Sequence, residues 1–395
     1  MKNFHCIPEM KIAQHIWTII FGVCILAGGF AGYAWKASSK GNVESATSSP
    51  ESAPDTSTDA LSLRFFQHTL NDKTGNIIVA PGILHELLLN LQTIAGGKTL
   101  EELNALPISP EYAPHIASIS LLAADINLTR TQQNQNVLPL PFSENYPVAI
   151  SFFNSMLAEC SSHPNLQFAT SENTSDKTKL LGGATAYFTP RWEIPFHKAN
   201  SQQADFDCAS GRLPSFTQMR ARGAYRTAKA HDASWRAVAI ELQQTGYNEA
   251  PLVFVAILPT GSARSFAAGL TQDSLTAIRK ALAEAEPADT LLMLPRMGQI
   301  VAPQDIRSTL HQFGLSSLFS ETEADFSPLC QERIHLGTVL YSCGISLLET
   351  QGFTEADESL DAAADCIEFS RPFVWFVGEL NTNSPMELMG LVEEL

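Results

Sequence analysis

Runs of lysine and arginine are missing from these 395 residues, and acids outnumber bases 41 to 25, a formal net charge of −16. A polyanion would be repelled by that field unless a local basic patch offset it, so nucleic-acid binding is excluded as a leading function. No two cysteines are spaced as in a C-x-x-C pair, which removes zinc-ribbon and thioredoxin-type sites. The cysteines themselves (Cys6, Cys24, Cys160, Cys208, Cys330, Cys343 and Cys366) are odd in number and far apart. They read as buried free thiols with at most one or two bridges. Three partial motifs each lack a residue their chemistry requires. Gly96-Gly97-Lys98-Thr99 ends like a phosphate-binding loop, but Gln92 stands where the first glycine must be. His85-Glu86 has no second histidine at the zinc-protease spacing, and Gly344-Ile345-Ser346-Leu347-Leu348 lacks the closing glycine of a nucleophile elbow. No catalytic residue, metal ligand set or cofactor emerges, and the expectation is that the chain is not an enzyme.

Apolar residues are plentiful, 45% of the chain, which is enough for a sizeable core. Ile16 to Trp35 is a run of uncharged residues preceded by Lys2 and Lys11. About twenty residues of helix match the thickness of a bilayer core. Trp17, Tyr33 and Trp35 near its ends suit an uncleaved anchor, whereas Gly29-Phe30-Ala31 or Gly32-Tyr33-Ala34 would suit signal cleavage. Residues 1–36 are therefore a signal or membrane anchor, 37–58 a polar linker, and 59–395 the globular part. Either way the remainder is exported: membrane-anchored through 16–35 if uncleaved, otherwise secreted (periplasmic in a bacterium).

Within 59–395 the stripe Leu84, Leu87, Leu88 and Leu91 predicts a helix opened by Pro81, after a short strand over 76–80. Thr99-Leu-Glu-Glu102 predicts a capping box. Helices are expected over 273–286 and 304–313, and strands over 186–189, 237–242, 252–258, 341–348 and 373–379. Helices and strands do not alternate regularly, which predicts an α+β arrangement.

Several blocks together resemble the serpin family. They are Asn76-Ile-Ile-Val-Ala-Pro81 with Ala95 to Leu103; Ala186-Tyr-Phe-Thr-Pro-Arg-Trp192-Glu-Ile-Pro-Phe196; Ala237 to Leu242 with Val255 to Pro259; Leu292-Met-Leu-Pro-Arg296; Leu310 with Phe313-Gly-Leu; Ala324-Asp-Phe-Ser327; and Phe369 to Phe376 with Asn381 to Gly390. The resemblance implies a large, mainly antiparallel sheet, further sheets, several helices and an exposed reactive-centre loop on a monomer without cofactor. It implies inhibition of a serine or cysteine endopeptidase by cleavage of that loop and its insertion as a strand. It also implies a loop hinge at Glu349, Gly352, Thr354, Glu355 and Ala356, an entry tryptophan at Trp192, and an ion pair between Glu349 and Arg296 where the loop begins. The family's polar network at the opening point of the sheet is replaced here by Ala80, Ile83, Ala184 and Tyr341. The loop is also about six residues shorter than inhibitory members usually carry. Those two departures imply the alternative, a non-inhibitory binding scaffold.

From 354 the loop alternates, with Thr354, Ala356, Glu358, Leu360, Ala362 and Ala364 on one face, as an inserting strand requires. Counting by the family's spacing from either end brackets the scissile bond between Asp361 and Ile367, with Leu360, Asp361, Ala364, Asp365, Cys366 and Ile367 as candidates. Residues 349–368 hold seven carboxylates and no Lys or Arg, so the expected target protease is not trypsin-like.

Overall fold

The structure is a computed structural model that describes residues 58–109, 112, 115–126, 137–159, 163, 165–243, 251–352, 360–380 and 385–395. The anchor and nearly all of the linker expected from the sequence lie outside them. Among the described residues no helix is long and apolar enough to cross a membrane. Seven α-helices are described: α1 Thr58–Asp72, α2 Pro81–Gln92, α3 Gly97–Asn104, α4 Phe142–Ala158, α5 Ala263–Ala268, α6 Gln272–Glu284 and α7 Arg307–Gln312. The first ten strands are β1 Ile77–Val79, β2 Ser118–Ala124, β3 Val137–Pro139, β4 Leu180–Phe188, β5 Gln202–Asp205, β6 Ser215–Lys229, β7 Trp235–Glu241, β8 Leu252–Pro259, β9 Ala288–Pro295 and β10 Met297–Asp305. They are followed by β11 Leu336–Leu347, β12 Asp365–Glu368, β13 Phe373–Glu379 and β14 Leu388–Val392.

A five-stranded sheet has the order β10-β11-β4-β2-β3, and a nine-stranded one the order β1-β14-β13-β8-β7-β6-β9-β12 with β5 on β6. In the five-stranded sheet β11 and β4 run parallel, paired at nine positions from Leu336↔Leu180 to Ile345↔Phe188. Both of its faces are covered. Ala184, Val339, Tyr341 and Cys343 face the main core beside α2, while Leu181 and Leu340 join Phe153 and Leu157 of α4 in a second cluster. Burial on both faces explains why β11 carries no charged residue from Leu336 to Leu347. Gly183 permits the close approach of α4, since a Cβ there would lie 2.6 Å from Leu157 Cδ1 and 2.7 Å from Phe153 Cζ.

Helix α2 follows its sequence signals closely, with Pro81 at its first turn and Leu84, Leu87, Leu88 and Leu91 fully buried. Other expectations need correction. Helix α3 begins at Gly97, two residues before Thr99, and no side chain caps it. The Thr99 hydroxyl is buried and accepts the Asp325 N–H at 2.9 Å, so a tertiary partner took the group a capping box would have used. The reciprocal box occurs instead at Thr271 and Ser274, starting α6. Gln304 and Asp305 belong to β10, and the helix expected from 304 starts at Arg307. Of the four cysteines described as free, Cys208, Cys330 and Cys343 are buried, but Cys366 is exposed.

Candidate functional site

Where β11 ends, the chain is fastened before it departs. Trp192, 1% exposed, packs edge-on against Phe196 and Phe254 and donates its indole N–H to the Leu348 carbonyl at 2.9 Å. Two residues on, the Thr350 N–H donates to the Phe196 carbonyl at 2.8 Å. Between them Glu349, nearly buried, accepts from the Ser201 hydroxyl at 3.0 Å and lies 3.6 Å from Arg296 Nε. Sequence reasoning had named Trp192, Glu349 and Arg296, and the fold brings them together. It missed Ser201 and the Phe196 carbonyl, because a lone serine and a main-chain oxygen carry no sequence signal. Gly352 follows with φ +92° and open space around it, a left-handed turn position that a Cβ would strain. The hinge residues Thr354, Glu355 and Ala356 lie outside the described residues.

Halfway down the sheet a buried polar chain occupies the place where the sequence predicted only apolar replacements. The Ala80 N–H, at the start of α2, donates to the Tyr341 hydroxyl at 2.5 Å. That hydroxyl is bonded to the Cys343 sulfur, and the Cys343 thiol donates to the Ile78 carbonyl at 3.6 Å. Burial pushes the tyrosine well above its ordinary pKa and the thiol up to about 12, so both groups stay protonated and able to donate. These positions therefore carry a buried polar chain of their own, running from the Ala80 N–H through Tyr341 and Cys343 to the Ile78 carbonyl. Tyr341 and Ala184 are paired neighbours across the β11–β4 seam, and Ala80 and Ile83 are buried beside them.

Beyond the loop the chain re-enters the nine-stranded sheet as β12, whose Asp365, Cys366, Ile367 and Glu368 pair in parallel with Thr290 to Met293 of β9. Arg236 reinforces this by donating to the Cys366 carbonyl at 2.9 Å and to the Asp365 carboxylate. Ile367 is 1% exposed, and Leu360, at the start of a 3-10 turn over Leu360–Ala362, is 6% exposed. Ile367 and Leu360 are buried, Asp365 to Glu368 pair along β9, and between them Ala362 and Ala364 are exposed and Ala363 half-buried.

A second concentration of ionisable groups brings Tyr112 and His115 together with α2, β13 and the start of β14. His115 presents Nδ1 to Glu387 Oε1 at 3.0 Å and Nε2 to Glu379 Oε1 at 3.4 Å. The Tyr112 hydroxyl donates to Glu387 Oε2 at 2.8 Å, and the His115 N–H donates to Glu387 Oε1 at 3.1 Å. Glu86, on α2, has a buried oxygen with no partner among the described residues. Burial and then the Glu387 charge push its carboxyl up to about 7. No group of His, Cys, Asp and Glu among the described residues is arranged to hold a metal ion.

Comparison with known proteins agrees with this architecture. A family model described as Serpin (serine protease inhibitor) matches residues 126–393. Serpin B10 of Bos taurus is 30% identical over 128 residues, 29% of this chain and 32% of that protein, so the match spans about a third of the curated relative. A solved serpin-12 from Manduca sexta aligns at TM-score 0.70 and 20% identity, covering 86% of this chain and 98% of the other. Uncleaved ovalbumin aligns at TM-score 0.71 and 14% identity, covering 86% and 100%. At these identities the structural likeness is one of fold, while the family match extends over more than half of the sequence: this chain belongs to the serpin family.

Proposed function

We propose that this protein inhibits a serine or cysteine endopeptidase by offering the segment after Gly352 as bait and inserting it, once cut, as a strand between β11 and β4. The observation that carries this reading is the parallel β11–β4 ladder. A chain that leaves β11 and turns back at Gly352 runs antiparallel to both neighbours, so it can bond along both edges at once. One ladder of nine pairs is then exchanged for two, at roughly 0.5–1.5 kcal/mol net for each added hydrogen bond. The loop is long enough despite being short for the family. Phe353 to Ala364 is twelve residues, about 40 Å when extended, against about 30 Å of ladder at roughly 3.3 Å per residue. No catalytic group of the inhibitor's own is required.

A second reading is favoured by Glu358. It falls in the same alternating set as Ala356 and Leu360, and an unpaired carboxylate buried by insertion costs several kcal/mol. On that reading the protein is a binding scaffold or a plain protease substrate. Incubation of the full chain with serine and cysteine proteases separates the two. An SDS-resistant adduct at the summed mass, with a rise in thermal stability after loop cleavage, supports insertion. Quantitative cleavage without an adduct or a gain in stability rejects it. The uncharged run 16–35 supports export, with the domain at 59–395 tethered or released beyond the linker; alkaline extraction of membranes distinguishes these two forms.

A further inference from the structure

The described geometry narrows the bait to a run of alanines. A protease binds its substrate as an extended strand and draws one side chain into a pocket, so the residue it reads must be neither buried nor already paired. Leu360 is buried on one side and β12 begins at Asp365 on the other. Between them lie Asp361, Ala362, Ala363 and Ala364, and Ala362 and Ala364 are exposed. The main chain here is lightly held. The Ala363 N–H reaches the Leu360 carbonyl at 3.4 Å, and the Ala364 N–H reaches Asp289 Oδ2 at 3.4 Å. Nine positions counted from Thr354 end at Ala362, which equals the nine paired positions that an inserted strand would fill. A cut after Ala362 or Ala363 therefore releases enough chain for complete insertion while β12 keeps its ladder.

We infer that Ala362 or Ala363 is the residue read by the target, and that the target is an endopeptidase whose specificity pocket is small and closed to large side chains. The inference rests on the bait-loop reading above, but the cleavage position can be tested separately from inhibition. A methyl group fills a small pocket and leaves a deep one largely empty, and each methylene of mismatch separates substrates by about 10–200-fold in kcat/KM. Placing Ala363 in the pocket sets Leu360 three residues upstream, where it must leave its buried position for the loop to extend. Placing Asp361 in the pocket requires the adjoining Leu360 to be extracted at once.

The full-length protein is treated with an elastase-type protease, chymotrypsin, trypsin and a glutamyl endopeptidase, and the new C-terminal fragment is sequenced from its N-terminus. The expected result is a first cut after Ala362 or Ala363 by the elastase-type enzyme, about 100-fold faster than the first cut by the others. Ala363→Arg, a change at a half-buried loop position, should move trypsin to the same bond. A first cut after Asp361 or within 353–359, or equal rates for elastase and chymotrypsin, overturns the inference. Cleavage at Ala362 or Ala363 without an SDS-resistant adduct keeps the bait assignment and rejects inhibition. An adduct formed with cleavage elsewhere does the reverse.

Discussion

Glu86→Gln should make this protein more stable above neutrality and leave it nearly unchanged in acid. Glu86 sits on α2 with a buried oxygen that has no partner among the described residues, facing the Glu387 charge. Its carboxyl is raised from 4.5 to about 7, first by burial and second by Glu387. Below pH 4.5 the group is protonated in the folded and the unfolded chain, and it contributes nothing to the pH dependence. Between 4.5 and 7 the folded state keeps a proton that the unfolded state has released, so stability falls as pH rises. Above 7 the full penalty applies, and at about 1.4 kcal/mol per pKa unit it amounts to roughly 3 kcal/mol. Partial exposure of the side chain brings this down to about 2 kcal/mol. Glutamine keeps the shape and removes the charge. With an unfolding entropy of about 2 cal/mol/K per residue, the expected gain is about 3 °C in Tm at pH 8 and under about 1 °C at pH 4.5. Calorimetry of both proteins across pH 4.5 to 8 measures the difference directly. A Tm difference independent of pH, or a loss of stability at pH 8, would refute the reasoning.

Tyr341→Phe removes the acceptor of the Ala80 N–H inside the core, and an unpaired buried donor should cost about 1–3 kcal/mol, read as a lower urea midpoint with unchanged slope. Gly183→Ala places a methyl group against Leu157 and Phe153, so overpacking under α4 should cost about 1–3 kcal/mol; a variant as stable as the parent would mean that α4 shifts freely. Arg296→Ala breaks a half-exposed pair with Glu349, so it should change global stability by less than about 1 kcal/mol at low salt, and the effect should vanish near 1 M salt.

The family, the order of elements and the members of the loop-entry cluster were legible because they rest on local signals. Pro81 and the leucine stripe set α2, alternation and apolar runs set the strands, Trp192 and Arg296 stand inside recognisable blocks, and Glu349 falls where the family resemblance places the partner of Arg296. Thr99 shows the limit of such signals. Its four-residue pattern is a good cap on paper, but a buried hydroxyl bonds to whatever donor the fold brings near, and here that is Asp325 from 226 residues away. The Tyr341–Cys343 chain was hidden for the same reason, since neither residue is polar enough in sequence to announce a network.

The sequence by itself determined the alternation of the loop, its acidity and its length, because these are properties of covalent order and side-chain type. It could only bracket the bait bond, since two ways of counting along the chain disagreed by the length of the deletion. Tertiary structure decided how those residues pack, by burying Leu360 and Ile367 and tying Asp365 to Glu368 into the β9 edge. Accessibility is a property of what packs against a residue, and the segments that do so here lie far from the loop in sequence.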